Sequence, residues 1–559
     1  MNPKTKKAMT QTHKLLSIAA LFAAGALTIS CNSLKEQLDT PEEVPATGKT
    51  VTLTASVGLD ATTKALTAAG VKTFAVGDQI AVIYEQEGGA IAKAVSNALT
   101  TTDIREEGQK ADITVTLDTP AEDGTVRYIY PASMALTTID PADPIDDAHT
   151  IDFTQLSAQD GTLATLAGSY DLAVFDGALN GLELPASALL SNQLAIGEFT
   201  VKNSGGDNIT YTVTGLKVTD GTNTYTVSRA AAAGPIYVAM LPVANTETLT
   251  FIATDNAATP NHFIKLVSGK ALESNNMYPV RLTMYPALDV SELTGTYYTI
   301  TDGYWLYGTQ TSTVILRIGD NAHVTFAGVT ITPTHFSAGL SCLGSATITL
   351  AAGTTNSVTS GNKSFAGIRA GSTGTTLTIG GEGTLTARCK PDSSDEIFGA
   401  GIGASNNTKC GNIEITGGTI YAYGGSHAAG IGSGLGAGGS SFISQCGDIT
   451  ISGGTVVAVG GFCSAGIGSG AADGGSSHCG AVTITEGARS VTATGSKSIG
   501  EGIDLGHGTS CGVITIDGHL LADAERDNPA LASFTHFNSV YDTSHYSTDY
   551  TYTWTLTHK

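Results

Sequence analysis

The chain has 559 residues, of which 41% are hydrophobic and 14% charged, with 68 glycines and a formal net charge of −22. That length allows about three or four domains, and the hydrophobic share excludes a disordered chain. The acidic balance leaves no basic footprint, so nucleic acid is excluded as the expected partner.

Residues 1–30 read as a signal peptide. Lys4, Lys6, Lys7 and Lys14 precede the apolar run LLSIAALFAAGALTI, Leu15 to Ile29, which is too short to span a bilayer comfortably. Cys31 directly after this leader predicts a bacterial lipoprotein acylated on that cysteine. Ordinary cleavage nearby, leaving a secreted protein, is the alternative. Without the leader the net charge deepens from −22 to −26, because it carries those four lysines and no acid. Residues 31–48 are polar and proline-containing and read as a lipidated tether. No later stretch is long and apolar enough for a membrane helix, so outer-membrane attachment is expected through lipid alone.

Residues 49–150 and 151–286 read as two β-sandwiches. VTLTASV, IAVIYE, ADITVTL and VRYIYPAS have strand character, and VGD, EGG and EDG read as turns. Phe153 to Asp176 shows no clear pattern.

Four motifs in this half occur in a set order after the lipoprotein leader: FAVGDQIAVI (Phe74 to Ile83), YIYPAS (Tyr128 to Ser133), IYVAMLPV (Ile236 to Val243) and GKALESNNMYPVRLTM (Gly269 to Met284). Together they resemble the fimbrillin-like family of type V pilus subunits, over roughly residues 46–286. The resemblance implies two tandem transthyretin-like sandwiches, export as a lipoprotein, and a place in or near a fimbrium. It also implies pilus or fimbrial subunits as partners, joined by strand exchange at an open sheet edge. One departure stands out. Shaft subunits of the family are trimmed after an arginine ahead of the first strands, and here the first arginine after Cys31 is Arg105. An accessory, tip or anchor subunit that keeps its lipid fits better than a shaft subunit.

The second half repeats itself. TITL at Thr347, TLTI at Thr376, NIEI at Asn412, DITI at Asp448, AVTI at Ala481 and VITI at Val513 align. Period-two alternation turns the second and fourth residues of each inward, pairing Ile348 with Leu377 and Leu350 with Ile379, then continuing through Ile413/Ile415 and Ile449/Ile451. A second strand supplies Leu385, Ile420, Val456 and Val491. A third supplies Ile368, Ile402, Ile431, Ile467 and Ile503. Three strands per repeat predict a right-handed parallel β-helix over 331–518. Residues 287–330 are then a linker and cap, and 519–559 a C-terminal cap in which YTYTWTLT, Tyr550 to Thr557, pairs along the last coil. The fold class is all-β; a third sandwich is the alternative for this half.

Cys410, Cys446, Cys479 and Cys511 each lie two residues before a first strand and form one column. Coils ~4.8 Å apart permit disulfides, which need Cα separations of ~4.4–6.8 Å, but a reduced ladder of small buried thiols is the preferred reading. Cys342, Cys389 and Cys463 stand outside the column. His427, His478 and His507 fall in different loops, so no metal and no cofactor are expected. No nucleophile, metalloprotease or phosphate-loop motif is present. Glu414 and Asp448 occupy different strand positions, and Asp392, Asp395, Glu396, Asp473 and Asp504 are scattered, so no catalytic residue is assigned. Tyr421 and Tyr423 project beside Thr419 and Thr455. Flat rings with nearby hydroxyls suit a sugar, so these tyrosines are the candidate glycan contact; ordinary strand tyrosines covering backbone are the alternative.

The function expected is cell-surface adhesion, the β-helix meeting a host or bacterial surface glycan or protein. A surface polysaccharide lyase or hydrolase is the alternative.

Overall fold

The computed structural model describes residues 49–59, 73–391, 398–546 and 549–559. The leader, Cys31 and the tether lie outside the described residues, as do Asp392, Asp395 and Glu396.

Thr50–Leu59 pairs antiparallel with Lys110–Asp118, from Thr50↔Asp118 to Gly58↔Lys110. Alternation turns Val57, Ile113, Val115 and Leu117 inward. They meet Val82, Tyr84, Val126 and Tyr128 of a second layer, closing one core. The residues between these, Ala81, Ile83 and Ile129, face the opposite way, into a second core with Met134, Phe199, Val218 and Phe251. The middle sheet is therefore buried on both faces. That is why the AVIY of Ala81–Glu85 reads as an unbroken apolar run rather than an alternating one. Ala173–Ala178 and Ala188–Asn192 complete these sheets. The first unit therefore reaches Asn192, beyond residue 150, because the stretch between leaves to build the second core and then returns.

Tyr285–Asp289 joins the two halves. It pairs antiparallel with His262–Ser268 on one side and parallel with Trp305–Gln310 on the other. One 20-stranded sheet thus runs from the N-terminal half into the parallel coils. Ile264, Ala287, Tyr307, Ala327 and Ala351 bury the joint, and Trp305 stacks on Tyr285 at 4.9 Å. The parallel ladders already include residues 287–330: Tyr297–Ile300 pairs with Ile315–Ile318, and Trp305–Gln310 with Ala322–Ile331.

The coil core is a set of aligned columns. Ile348, Ile379, Ile415, Ile451, Ile484 and Ile516 lie opposite one another in turn. Ile348 thus meets Ile379, two residues along from the expected Leu377. A two-residue shift leaves the same side chains inward. Leu385, Ile420, Val456 and Val491 form the second column. The third runs Ile368, Ile402, Ile431 and Ile467, then Ile499. Ile503 is excluded from it and is 39% exposed. Only Ser496 separates Ser490–Gly495 from Lys497–Gly500, so the shorter turn brings Ile499 into register four residues earlier.

From Ile402 on, each third-column isoleucine is followed by a glycine, whereas Arg369 follows Ile368. Gly432 has φ 142°, and a Cβ there would overlap the Gly468 carbonyl oxygen on the next coil.

At the far end, Phe537–Tyr546 and Asp549–His558 form a hairpin whose second strand pairs antiparallel with Ser490–Gly495. Trp554 and Leu556 fill the last coil, and Trp554 Nε1 donates to Ser539 Oγ at 2.8 Å. The apolar end of the stack is thereby covered.

Candidate functional site

Thr384–Arg388, the second half of Asn412–Tyr423, the second half of Ile449–Val459 and Ser490–Gly495 lie side by side in register. Their inward residues are Leu, Ile, Val and Ala. Their outward residues form three rows. One is Thr384, Thr419, Thr455 and Ser490. The next is Thr386, Tyr421, Val457 and Thr492. The last is Arg388, Tyr423, Val459 and Thr494. The C-terminal hairpin widens this face, setting Thr555 and Thr553 against Thr492 and Thr494 with hydroxyls 3.2 and 3.0 Å apart.

Tyr421 and Tyr423 are thus brought together on one flat face, both half-buried. The Arg388 guanidinium lies 4.4 Å from the centre of the Tyr423 ring, a cation–π contact that fixes both side chains. Arg388 escaped the sequence reading, although aligning TLTAR with TIYAY places it next to Tyr423.

The two acids considered for catalysis are engaged differently. Glu414 accepts from Thr378 Oγ1 at 3.3 Å. The Asp448 carboxylate accepts from the Ala481 amide at 2.8 Å and so clamps one coil to the next.

None of the seven described cysteines is in a disulfide. Cys446, Cys479 and Cys511 stand in register, and the thiol of each donates to a glycine carbonyl of the preceding coil (Gly411, Gly447 and Gly480) at 3.8 Å. The hydrogen bond to Cys446, reinforced by burial, pushes the Cys410 thiol well above its usual range. Burial pushes Cys342 up to about 12, and neighbouring Cys410 adds to the effect. Cys342 lies opposite Ile318 on the third side, outside the column. Thiols held this high are poor nucleophiles and poor ligands at neutral pH.

Among the described residues, Glu486, Asp517 and His536 bring potential metal-ligand atoms within 4.8 Å of one another. His536 Nδ1 is 2.6 Å from Asp517 Oδ1 and 3.5 Å from Glu486 Oε2, which an ion pair accounts for.

A second feature lies at the opposite end. Thr50–Leu59 pairs with Ala188–Asn192 only from Val57 to Leu59. Its earlier residues have an open edge among the described residues, beside a cavity of about 620 Å³ lined by Thr52, Ser56, Arg105, Glu183 and Leu184. An open edge of this kind can accept another strand.

A family model described as a beta helix repeat matches residues 413–435 and 449–471. No curated protein matches the chain. The chain is similar to solved fimbrial and cell adhesion proteins of the Bacteroides group. One is a fimbrial assembly protein from Parabacteroides distasonis, at 11% identity and a TM-score of 0.26, covering 43% of this chain and 94% of that one. Another, from Bacteroides uniformis and described provisionally as a cell adhesion protein, is 13% identical with a TM-score of 0.25, covering 42% and 94%. A fimbrial protein from Bacteroides ovatus is 12% identical with a TM-score of 0.21, covering 41% and 47%.

Proposed function

We propose that this chain is a cell-surface, fimbrillin-like lipoprotein that displays a β-helix for adhesion. Its first half is a tandem pair of transthyretin-like sandwiches, and its second a right-handed β-helix. It is lipidated at Cys31, held at the outer membrane, and serves as an accessory, tip or anchor component of fimbriae or as a free-standing adhesin. The open edge of Thr50–Leu59 supports a junction with a fimbrial subunit by strand exchange. The protein is not an enzyme in this reading.

The observation that carries the proposal is the flat face on which Tyr421, Tyr423 and Arg388 stand among threonine hydroxyls. Stacking rings with hydroxyls and a cation around them suit a surface glycan. Cells displaying the Tyr421→Ala/Tyr423→Ala variant should lose adherence to glycan-coated surfaces while taking up labelled palmitate like the wild type. Undiminished adherence removes the platform from the proposal, and a wild type that never takes up palmitate removes the lipid anchor.

A further inference from the structure

The coils are not equal in length, and the inequality leaves a hole. By register, one coil takes 24 residues from His323 to Thr347, the next 31 to Thr378, and the next 36 to Glu414. The added residues build an outer stretch over the third side of the later coils, seen at Ile443–Cys446 and Ser476–Cys479. The early coils lack it. At the step between them lies a cavity of about 510 Å³.

Its floor is the outward row of the early third-side strands. Arg317, Ser341 and Arg369 lie opposite one another in that order. Rungs are ~4.8 Å apart, so the two arginines bracket the serine across roughly 10 Å. Ser405 and Thr408 line it from the longer coils, and Phe336 and Phe365 line it as well. Phe336 is 72% exposed. The Arg317 guanidinium sits 4.0 Å from the centre of the Tyr297 ring, which holds it in place.

Two polar groups here lack a partner. Ser337 is 6% exposed, and its buried hydroxyl has no hydrogen bond. Arg369 Nε is likewise buried and unpartnered. A buried donor left unsatisfied is costly, so native structures rarely retain one without a reason. No carboxylate is among the residues lining the cavity, and neither arginine makes an ion pair among the described residues. In a chain of net charge −22, two unneutralised guanidiniums in one cavity form a local anion site.

We propose that this step cavity binds a carboxylate-bearing sugar of an acidic glycan. Arginine matches a carboxylate through paired N–H donors. The aromatic rings cover the apolar face of the sugar, and Ser337 and Ser341 meet its hydroxyls. The proposal rests on the β-helix being the glycan-facing half, but it uses a different site from Tyr421 and Tyr423.

The test is calorimetric titration of the intact protein with tetragalacturonate, its methyl ester, 3′-sialyllactose, and inorganic sulfate. The first two share a backbone and differ in charge, and sialyllactose separates a terminal acidic sugar from an acidic polymer. At least one acidic glycan should bind, and the neutral ester should bind about tenfold more weakly or not at all. Arg317→Gln and Arg369→Gln should each weaken binding about tenfold. Phe336→Ala, at an exposed position where truncation leaves the core intact, should weaken it too, whereas Tyr421→Ala should not. Equal binding of acid and ester overturns the proposal. So does binding of sulfate alone, or failure of both acidic glycans to bind. If Arg369→Gln melts early, Arg317→Gln and Phe336→Ala decide. Loss of adherence in the Tyr421→Ala/Tyr423→Ala cells with this titration unchanged separates the two sites.

Discussion

Ile451 and Thr450 are neighbours in the chain and opposites in surroundings. Ile451 is fully buried between Ile415 and Ile484, whereas Thr450 is half-exposed between Glu414 and Thr483. Ile451→Ala should cost ~2–5 kcal/mol, because it loses transfer free energy and leaves a cavity between two coils. Thr450→Ala should stay within ~0.5 kcal/mol. Chemical denaturation of the two variants side by side measures the difference, and equal losses would mean the alternation is misread. This alternation was legible because a strand shows its two faces at period two, which the coils repeat. Arg317 and Arg369 were not legible as a pair. They lie in coils of different length, so no fixed repeat aligns them, and only the register shows Ser341 between them. The two-sided burial of Ala81–Glu85 was hidden for another reason: an apolar run does not say how many partners cover it.

The C-terminal hairpin is attached partly through charge. Beyond its backbone pairing with Ser490–Gly495, it is held through His536, which faces Asp517 at 2.6 Å and Glu486 at 3.5 Å. The hydrogen bond to Asp517 holds the imidazole above its ordinary value, and the charges of Asp517 and Glu486 add to this while Lys559 opposes it. His558, stacked at 6.2 Å, is the other titratable ring on this side. A histidine whose folded pKa is raised stabilises the fold fully below its unfolded value of about 6.5. That contribution fades as pH rises through the raised value. Hydrogen exchange of the hairpin amides should therefore quicken, relative to the intrinsic rate, as pH rises above about 6.5. His536→Gln should flatten this dependence. A hairpin whose protection ignores pH in the wild type removes the clasp. The hairpin was legible from YTYTWTLT, but the clasp was not, because Asp517 and His536 come from either side of a turn region with no periodic pattern.

The whole molecule is tied together at Tyr285–Asp289, where an antiparallel sheet becomes a parallel one without a break. A shared sheet and the buried cluster around Ala287 should make the two halves melt together. Ala287 is 4% exposed, so Ala287→Asp places an unpaired charge inside the joint. Calorimetry should then resolve two transitions in place of one. A variant that still melts in one step would show that the halves are coupled elsewhere. The strands on either side of this joint were legible from the sequence. Their continuity was not, because the sequence gives a strand's own pattern and not which neighbour lies on each edge.

The coil stack also makes the protein's reach adjustable. Each rung ends in the register where the next begins, and Cys446–Gly447 occupies the place in one rung that Cys410–Gly411 occupies in the one before. Excising Gly411–Cys446 would join Cys410 to Gly447 and leave a rod shorter by one rung, ~4.8 Å, with both ends untouched. Duplicating the same segment would lengthen it by as much. The coil stack can grow or shrink in uniform steps by the gain or loss of one unit, and neither the joint at Tyr285–Asp289 nor the C-terminal hairpin has to be redesigned.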